Sequence, residues 1–550
     1  MGNNSDNPFG TPAGPDMVQI QAAPGNKAKT LRPASGAKFW RSLDQVADTK
    51  EFQGWLQREF PSAAEFLDGK SRRTMLKLMA ASFGLAGMAA CSRPEQHLAP
   101  QARGQMDYVP GRAYDYTSAF AQSGHVTGLV VRTYDGRPTK IEGNTDHPES
   151  MGAAMALAQA SVLDVYDPDR SKTFMVDGAE ANWEVAGPSL AGMDLGDGTG
   201  VRFLSETVVS PTVKAQREEL LRRLPNAKWV EFEGASLENE YAGTELAFGQ
   251  RLATHPRFDR AKVIASLDYD FLGNDFPTPR LTKLFSRGRR ASTTEEMDNL
   301  SRLYVIESQF SLTGANAEHR LRQKGSEIAQ FAKDLLAAVE GGNVAGNDQR
   351  AQYLAALVTD LRAAGAEALV VAGPRQPAVV HALAHHINAA LGSEAMEFTP
   401  VERSAGVSSG LAALTELTTE MSGGQVSTLF VFGGNPAYTA PANLQFASAM
   451  GQVNRKIHLG THHDETAMLA DWHIPMAHYL EAWGDAETIA GVAAVQQPMI
   501  LPMYGGKSVV QVLAALNGDA EANGMDQVKA HWAPFFGGSE MENENAWRRR

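Results

Sequence analysis

Cysteine is almost missing from this chain: Cys91 is the only one in 550 residues. That count excludes an internal disulfide framework, a structural zinc site built on thiolates, and any iron–sulfur cluster held by several cysteines of this chain. Long apolar runs are missing too. The longest, residues 78–90, is rich in alanine and glycine and shorter than the about eighteen residues at which a spanning helix is suspected. Nor is there an excess of positive charge. Lys plus Arg number 50 against 63 Asp plus Glu, a formal net charge of −13, so a general electrostatic grip on nucleic acid is excluded. Attachment to a membrane has to come from something other than charge.

What is present is an ordinary globular balance, 43% hydrophobic and 21% charged, in a chain long enough for roughly three or four domains. Residues 1–36 are rich in Asn, Gly, Pro and Gln without periodicity and are expected to be disordered. In residues 37–70, Trp40, Leu43, Val46, Phe52, Trp55, Leu56 and Phe60 recur at helical spacing. The pattern breaks near Asp48, with Thr49 placed to cap a second helix before Pro61. This helical extension is either a minor packing element or a peptide for an export chaperone or partner.

Residues 71–91 carry an address. Ser71-Arg72-Arg73-Thr74-Met75-Leu76-Lys77 is close to the twin-arginine pattern, an apolar core of signal length follows, and Ala89-Ala90-Cys91 closes it as a lipid-attachment site. Met88 stands where lipoprotein signals prefer leucine. The position is unusual, about seventy residues in, and the bland alternative is an internal helix with a chance Arg-Arg pair. The expectation is export directed by Arg72 and Arg73, lipidation of Cys91, and a place on the periplasmic face of the cytoplasmic membrane.

Residues 92–174 open with a Pro-, Gln- and Arg-containing tether as far as residue 112. Val126-Thr127-Gly128-Leu129-Val130-Val131-Arg132-Thr133-Tyr134 then alternates like a strand, Asp135-Gly136 makes a hairpin turn, and Lys140-Ile141-Glu142 returns. From Asp135 to Asn144, with His147-Pro148 and Gly152 beyond, the segment resembles the amino-terminal part of molybdopterin oxidoreductases of the dimethyl-sulfoxide-reductase type. In that family spaced cysteines around this hairpin hold a 4Fe-4S cluster, and every one of them is absent here.

Four features resemble more specifically the molybdopterin-oxidoreductase-like iron–sulfur subunit of alternative complex III. They are Phe39-Trp40-Arg41-Ser42-Leu43-Asp44, Glu59-Phe60-Pro61, the internal signal, and Leu163-Asp164-Val165-Tyr166-Asp167-Pro168-Asp169-Arg170-Ser171. The resemblance implies a molybdopterin-fold half without molybdenum cofactor. It also implies a ferredoxin-like half, beyond Arg550, with 4Fe-4S and 3Fe-4S clusters; no cofactor is expected in this segment. Implied partners are integral membrane quinol-oxidising subunits and c-type cytochrome subunits, with no nucleic acid.

Beyond residue 175, strand-like runs at 200–204, 228–232, 263–267, 302–306, 368–372, 428–432 and 456–460 alternate with helical patterns such as 213–224, 327–336 and 378–391. The pattern argues an α/β class with two doubly wound parallel-sheet domains, at 175–345 and 346–490, beside the small antiparallel unit. Residues 491–550 are expected to connect towards the missing module, with Pro498 demoting its extended run to an edge strand or loop.

Candidate cofactor contacts sit after strands: Gly433, Gly434 and Asn435, then Gly373, and the loop 266–273. Glycine there lets backbone N–H groups approach phosphate. Without the cluster, these are expected to be vestigial turns over a filled or empty cleft. His458, His462, His463, His473 and His478 invite a metal site, but clustered histidines after a strand serve packing equally well. Ser205 and Ser210 are the serines nearest the position of a molybdenum ligand, and nothing identifies either as one. The functional expectation is a non-catalytic, exported, lipid-anchored scaffold of a respiratory quinol:acceptor oxidoreductase. The rivals are an active pterin enzyme and a free-standing ligand-binding lipoprotein.

Overall fold

A computed structural model describes residues 111–273, 275, 279–291, 293–297, 300–401 and 404–536, together with Lys50, Gly54 and Val109. Residues 1–36, the rest of the helical extension, the signal with Arg72 and Arg73, Cys91, and residues 537–550 lie outside them. All elements below belong to one compact unit, Gln105–Arg550.

The first three strands, β1 (Ala113–Gln122), β2 (His125–Tyr134) and β3 (Arg137–Gly143), form an antiparallel meander. Both connections are two-residue turns with positive φ at each position, Ser123-Gly124 and Asp135-Gly136, as a tight hairpin requires. Leu129, Val131 and Ile141 point to one face, where Ala158, Val162 and Val165 of helix Ala156–Val165 cover them together with Leu480. This is the small antiparallel unit expected from the sequence.

The chain then lays down β4 (Phe174–Val176), β5 (Ala179–Ala181), β6 (Val201–Ser205) and β7 (Lys228–Glu231). It leaves for a second unit made of β8 (Leu252–Pro256), β9 (Val263–Leu267), β10 (Arg302–Glu307), β11 (His319–Arg322), β12 (Ala368–Ala372) and β13 (Met396–Pro400). It returns with β14 (Val407–Ser409), β15 (Thr428–Phe432), β16 (Arg455–Gly460) and β17 (Trp472–Pro475), and closes with the pair β18 (Gly484–Glu487) and β19 (Ala493–Gln496). The returning strands rejoin the first sheet in the order β14-β7-β6-β15-β16-β17-β4-β5, parallel through β17 and antiparallel at β4 and β5. The excursion makes a parallel sheet of order β11-β10-β9-β12, with β8 and β13 paired separately.

Both sheets carry helices on both faces, which is why their central strands are apolar throughout rather than alternating. Helices Pro211–Arg223 and Val509–Leu516 cover one face of the large sheet and helix Gly410–Ser422 the other. At its centre Phe203 stacks on Trp229 at 5.1 Å and on Phe430 at 5.0 Å. In the smaller sheet, helices Ile328–Val339, Gln349–Ala364 and Ala378–Leu391 cover one face and Pro279–Gly288 the other.

Two sequence expectations are corrected. The division at 345/346 cuts the smaller sheet, which takes β9 to β11 from one side of it and β12 from the other; one α/β unit is inserted into the other. The end of the chain is no mere connector. Val510, Val512, Leu513, Ala515 and Leu516 are buried in the main core, so helix Val509–Leu516 is part of the large sheet's cover. Its strong local signal, a run of aliphatic residues after Ser508, which caps the helix with Gln511, marks a core helix. Pro498 does fall just past the end of β19, which pairs only with β18. Among the described residues, no helix is long and apolar enough to cross a membrane.

Candidate functional site

Ligands of doubly wound sheets bind beyond the carboxyl ends of strands, where successive connections run to opposite sides. In the large sheet that point lies between β6 and β15, and in the small one between β9 and β12. The glycines singled out from the sequence fall at these two points.

At the first crevice β15 runs into Gly433 and Gly434, with φ of +70° and +67°, a backbone that only glycine adopts without strain. Directly opposite, β6 runs into Glu206. A Cβ on Gly433 would lie 3.2 Å from Glu206 Oε2, and one on Gly434 would lie 3.2 Å from Glu206 Cγ. The surrounding protein and the charge of Glu233 push the Glu206 carboxyl up to about 7, although its side chain is accessible from the cleft. Glu233 Oε1 accepts from the Thr207 amide at 2.9 Å. Asn435 is fully engaged, donating to Glu465 at 2.6 Å and accepting from Thr466 at 2.7 Å. Ser205 accepts from Trp229 Nε1 and donates to the Glu206 carbonyl, and Ser210 caps helix Pro211–Arg223 and donates to Asp485. Both serines are thus structural. The crevice holds about 410 Å³ and continues into about 340 Å³ lined by Trp229, Phe432, Met476, Tyr479 and Trp483.

At the second crevice the loops close on each other. A Cβ on Gly373 would lie 2.0 Å from the Asp268 carbonyl oxygen, so the two strand-end loops touch backbone to backbone. Asp268, itself at φ +54°, accepts from the Ser308 amide at 3.1 Å and from Gln376 at 2.8 Å. Asp270 accepts from the amide and hydroxyl of Thr313, and Asp275 from the Asp270 amide. About 70 Å³ remains beside them, lined among others by Tyr269, Glu240, His255, His381 and His385. Burial lowers His381 and His385 to about 4. Between the two crevices lies a cleft of about 460 Å³ that shares Thr207 and Glu233 with the lining of the first and Leu237 and Thr488 with that of the second. There Arg217 and Arg251 are paired with Glu231 and Glu238.

The histidines of β16, β17 and the loops that follow them do not converge on one point. His458 Nδ1 meets His473 Nδ1 directly at 3.1 Å, and His473 Nε2 meets Ser171 Oγ at 2.7 Å. One proton serves the Nδ1 pair, and burial with the neighbouring imidazoles lowers His473 to about 3. His462 bonds Asp167 at 3.2 Å, and the backbone of Leu480 donates to His478. Among the described residues, no group of three or more His, Cys, Asp or Glu side chains could hold a metal ion.

At both switch points the space in front of the glycine turns is taken: Glu206 stands over Gly433 and Gly434, and the Asp268 carbonyl lies against Gly373. Glu206 and Glu233 escape a search for glycine motifs; the rule that strand ends carry ligand-facing residues, applied to Ser205-Glu206, would have found the first.

An inserted pair of doubly wound sheets with an antiparallel amino-terminal unit defines the molybdopterin-oxidoreductase-like fold. Acetylene hydratase from Pelobacter acetylenicus has that fold and superposes with a TM-score of 0.54 over 73% of this chain and 69% of its own, at 14% identity. In sequence, the chain is 25% identical over 463 residues to the menaquinone reductase molybdopterin-binding-like subunit of Nitratidesulfovibrio vulgaris. That match takes in 71% of this chain and 63% of the relative, so this chain matches less than two-thirds of the relative's length. No protein-family profile matches the chain. The likeness is therefore to molybdopterin-oxidoreductase-like proteins as a class.

Proposed function

We propose that this chain is a non-catalytic structural and docking subunit of a membrane-bound respiratory quinone/quinol oxidoreductase, in an assembly of the alternative complex III kind. It is exported by Arg72 and Arg73 and anchored through lipid on Cys91 to the periplasmic face of the membrane. Its partners are integral membrane subunits that handle the quinone and c-type cytochrome subunits, and its electron-carrying clusters lie elsewhere in the assembly. The likeness to a menaquinone reductase subunit supports the respiratory setting.

The observation that carries the non-catalytic part is Glu206 set over the Gly433-Gly434 turn beside Glu233. The Glu206 side chain occupies the approach to the glycine amides on which an active pterin enzyme would hold phosphate, and its carboxyl, raised by burial and by Glu233, offers no positive charge to replace them. Measuring molybdenum and tungsten in protein purified from its native membrane, with pterin fluorescence after oxidative extraction, tests this. The expected result is neither metal nor pterin in stoichiometric amount. One equivalent of pterin per chain would instead make this subunit a working cofactor enzyme.

A further inference from the structure

Among the described residues Leu501 is the most exposed large hydrophobic side chain, 87% open to solvent, and it sits in a loop of unusual composition, Pro498-Met499-Ile500-Leu501-Pro502-Met503-Tyr504. The loop is held firmly at both ends. The Met499 amide donates to the Leu480 carbonyl at 2.8 Å and the Met503 amide to Glu481 at 3.0 Å, while Arg170 and Lys172 lie over the Tyr504 ring. Leu501 therefore projects from a fixed base, with half-exposed Met503 beside it.

Its neighbours are also apolar and open. Met499 borders the Asp135-Gly136 turn, where a Cβ on Gly136 would lie 4.0 Å from the Met499 carbonyl. Tyr134 precedes that turn, and the Tyr166 hydroxyl donates to the carbonyl of Pro138 just after it. Tyr134, Tyr166 and Leu163 are exposed at 41%, 40% and 68%. The chain enters the described fold at this same end: Ala113 pairs with Tyr134 across β1 and β2, and the Gly111 amide donates to Asp135.

We propose that this end of the molecule, with Leu501 at its tip, is a lipid-contacting surface that lies in the interfacial layer of the bilayer. The inference rests on the reading of Cys91 as the anchor. Twenty-one residues lie between Cys91 and Ala113, where β1 begins, and a random coil of that length has an end-to-end distance of about 25 Å. A lipid on Cys91 would keep the point where the chain enters the fold, beside the Asp135-Gly136 turn and the Leu501 loop, near the membrane. Aliphatic and tyrosine side chains suit the boundary between headgroups and acyl chains. The exposed charges around the tip are balanced, with Arg112, Arg137 and Lys172 against Asp135, Asp164 and Asp169. Binding is therefore expected to depend on apolar contact rather than on anionic lipid.

The test uses the full chain carrying Cys91→Ser, which cannot be acylated, so the loop's own affinity is read whatever Cys91 carries. Sedimentation with phosphatidylcholine vesicles is expected to give weak, salt-insensitive partitioning that Leu501→Asp reduces at least tenfold. Leu246→Asp, at another exposed leucine in helix Glu238–Phe248 (65% open), is expected to leave partitioning unchanged. In native, acylated protein a nitroxide on Leu501→Cys is expected to be shielded from aqueous quenchers in vesicles, and one on Leu246→Cys to remain open. Equal partitioning of the Leu501→Asp and Leu501 proteins would overturn the proposal. So would a Leu501→Cys label that stays water-accessible in vesicles and crosslinks to a partner subunit in the assembled complex, which would make the surface a protein interface. Absence of acyl mass on native Cys91 would sink the anchor reading alone, leaving the vesicle result to decide the loop.

Discussion

Arg170 and Glu481, 311 residues apart in the chain, form a two-pronged ion pair at 3.0 and 2.6 Å with both side chains almost completely out of solvent. Arg170 also donates to the Val165 carbonyl, and Glu481 accepts the amides of His478 and Met503. One pair thus fastens the end of helix Ala156–Val165, the stretch after β17 and the base of the Leu501 loop. Burial pushes the Glu481 carboxyl up, but the Arg170 guanidinium and the two amides outweigh it and hold the group below its ordinary value.

Removing one partner leaves the other charge buried and alone, which costs about 3–5 kcal/mol. Arg170→Met and Glu481→Gln are therefore each expected to lower the urea midpoint sharply, and the double variant to lose less than the sum of the two. Because the Glu481 value is depressed, its contribution is complete above the ordinary glutamate range and is lost as pH falls through the depressed value. Additive losses in the double-mutant cycle would show that the pair is not the fastening.

Much of this architecture was legible in the sequence. The seven strand-like runs all became strands because each is a short apolar, β-branched or aromatic run between turn residues, and Asp135-Gly136 became the hairpin turn its residue types demand. The nesting of one unit in the other was not legible. Nothing local in β7 or β14 says that they pair across the inserted segment; the register of Val407 against Trp229 is a long-range fact. Strand β1 was missed because Tyr114, Asp115, Tyr116 and Thr117 lack the alternation of a half-buried strand. At the crevices, the glycines were visible as types, but what fills the space beside them, Glu206 and the Asp268 carbonyl, belongs to other strand ends.

Gly373 offers a direct probe of how tightly the second crevice is shut. Its N–H donates to the Leu267 carbonyl at 3.0 Å, and an added methyl would lie 2.0 Å from the Asp268 oxygen and 2.8 Å from its carbonyl carbon. Backbone atoms cannot swing aside as a side chain does, so Gly373→Ala has to part the loops after β9 and β12. We expect a loss of about 1–3 kcal/mol, with faster hydrogen exchange at the Ser308 and Thr313 amides that Asp268 and Asp270 hold. Unchanged exchange there would mean that the crevice is open enough to admit a ligand after all.

Acid should unfold this protein early, and the reason is its interior histidines. Burial is the main cause that lowers His125, His381, His385 and His478 to about 4, and with neighbouring imidazoles it lowers His473 to about 3. In the unfolded chain each takes a proton near pH 6.5, whereas in the folded chain none does until far lower. The unfolded state therefore binds more protons as pH falls. The stability these groups confer is whole above about pH 6.5 and is lost between there and pH 4, by as much as about 1.4 kcal/mol per pH unit for each histidine. Glu206 acts with the opposite sign, since its value of about 7 favours the folded state most in acid and that advantage fades as pH rises through 7. Its side chain opens to the cleft, so screening by water keeps its effect the smaller. The net expectation is a urea midpoint that falls steeply from pH 7 to pH 5, with five histidine ring signals that do not move in the folded protein over that range. A flat midpoint, or ring signals that titrate near pH 6.5, would place those histidines in water rather than in the core.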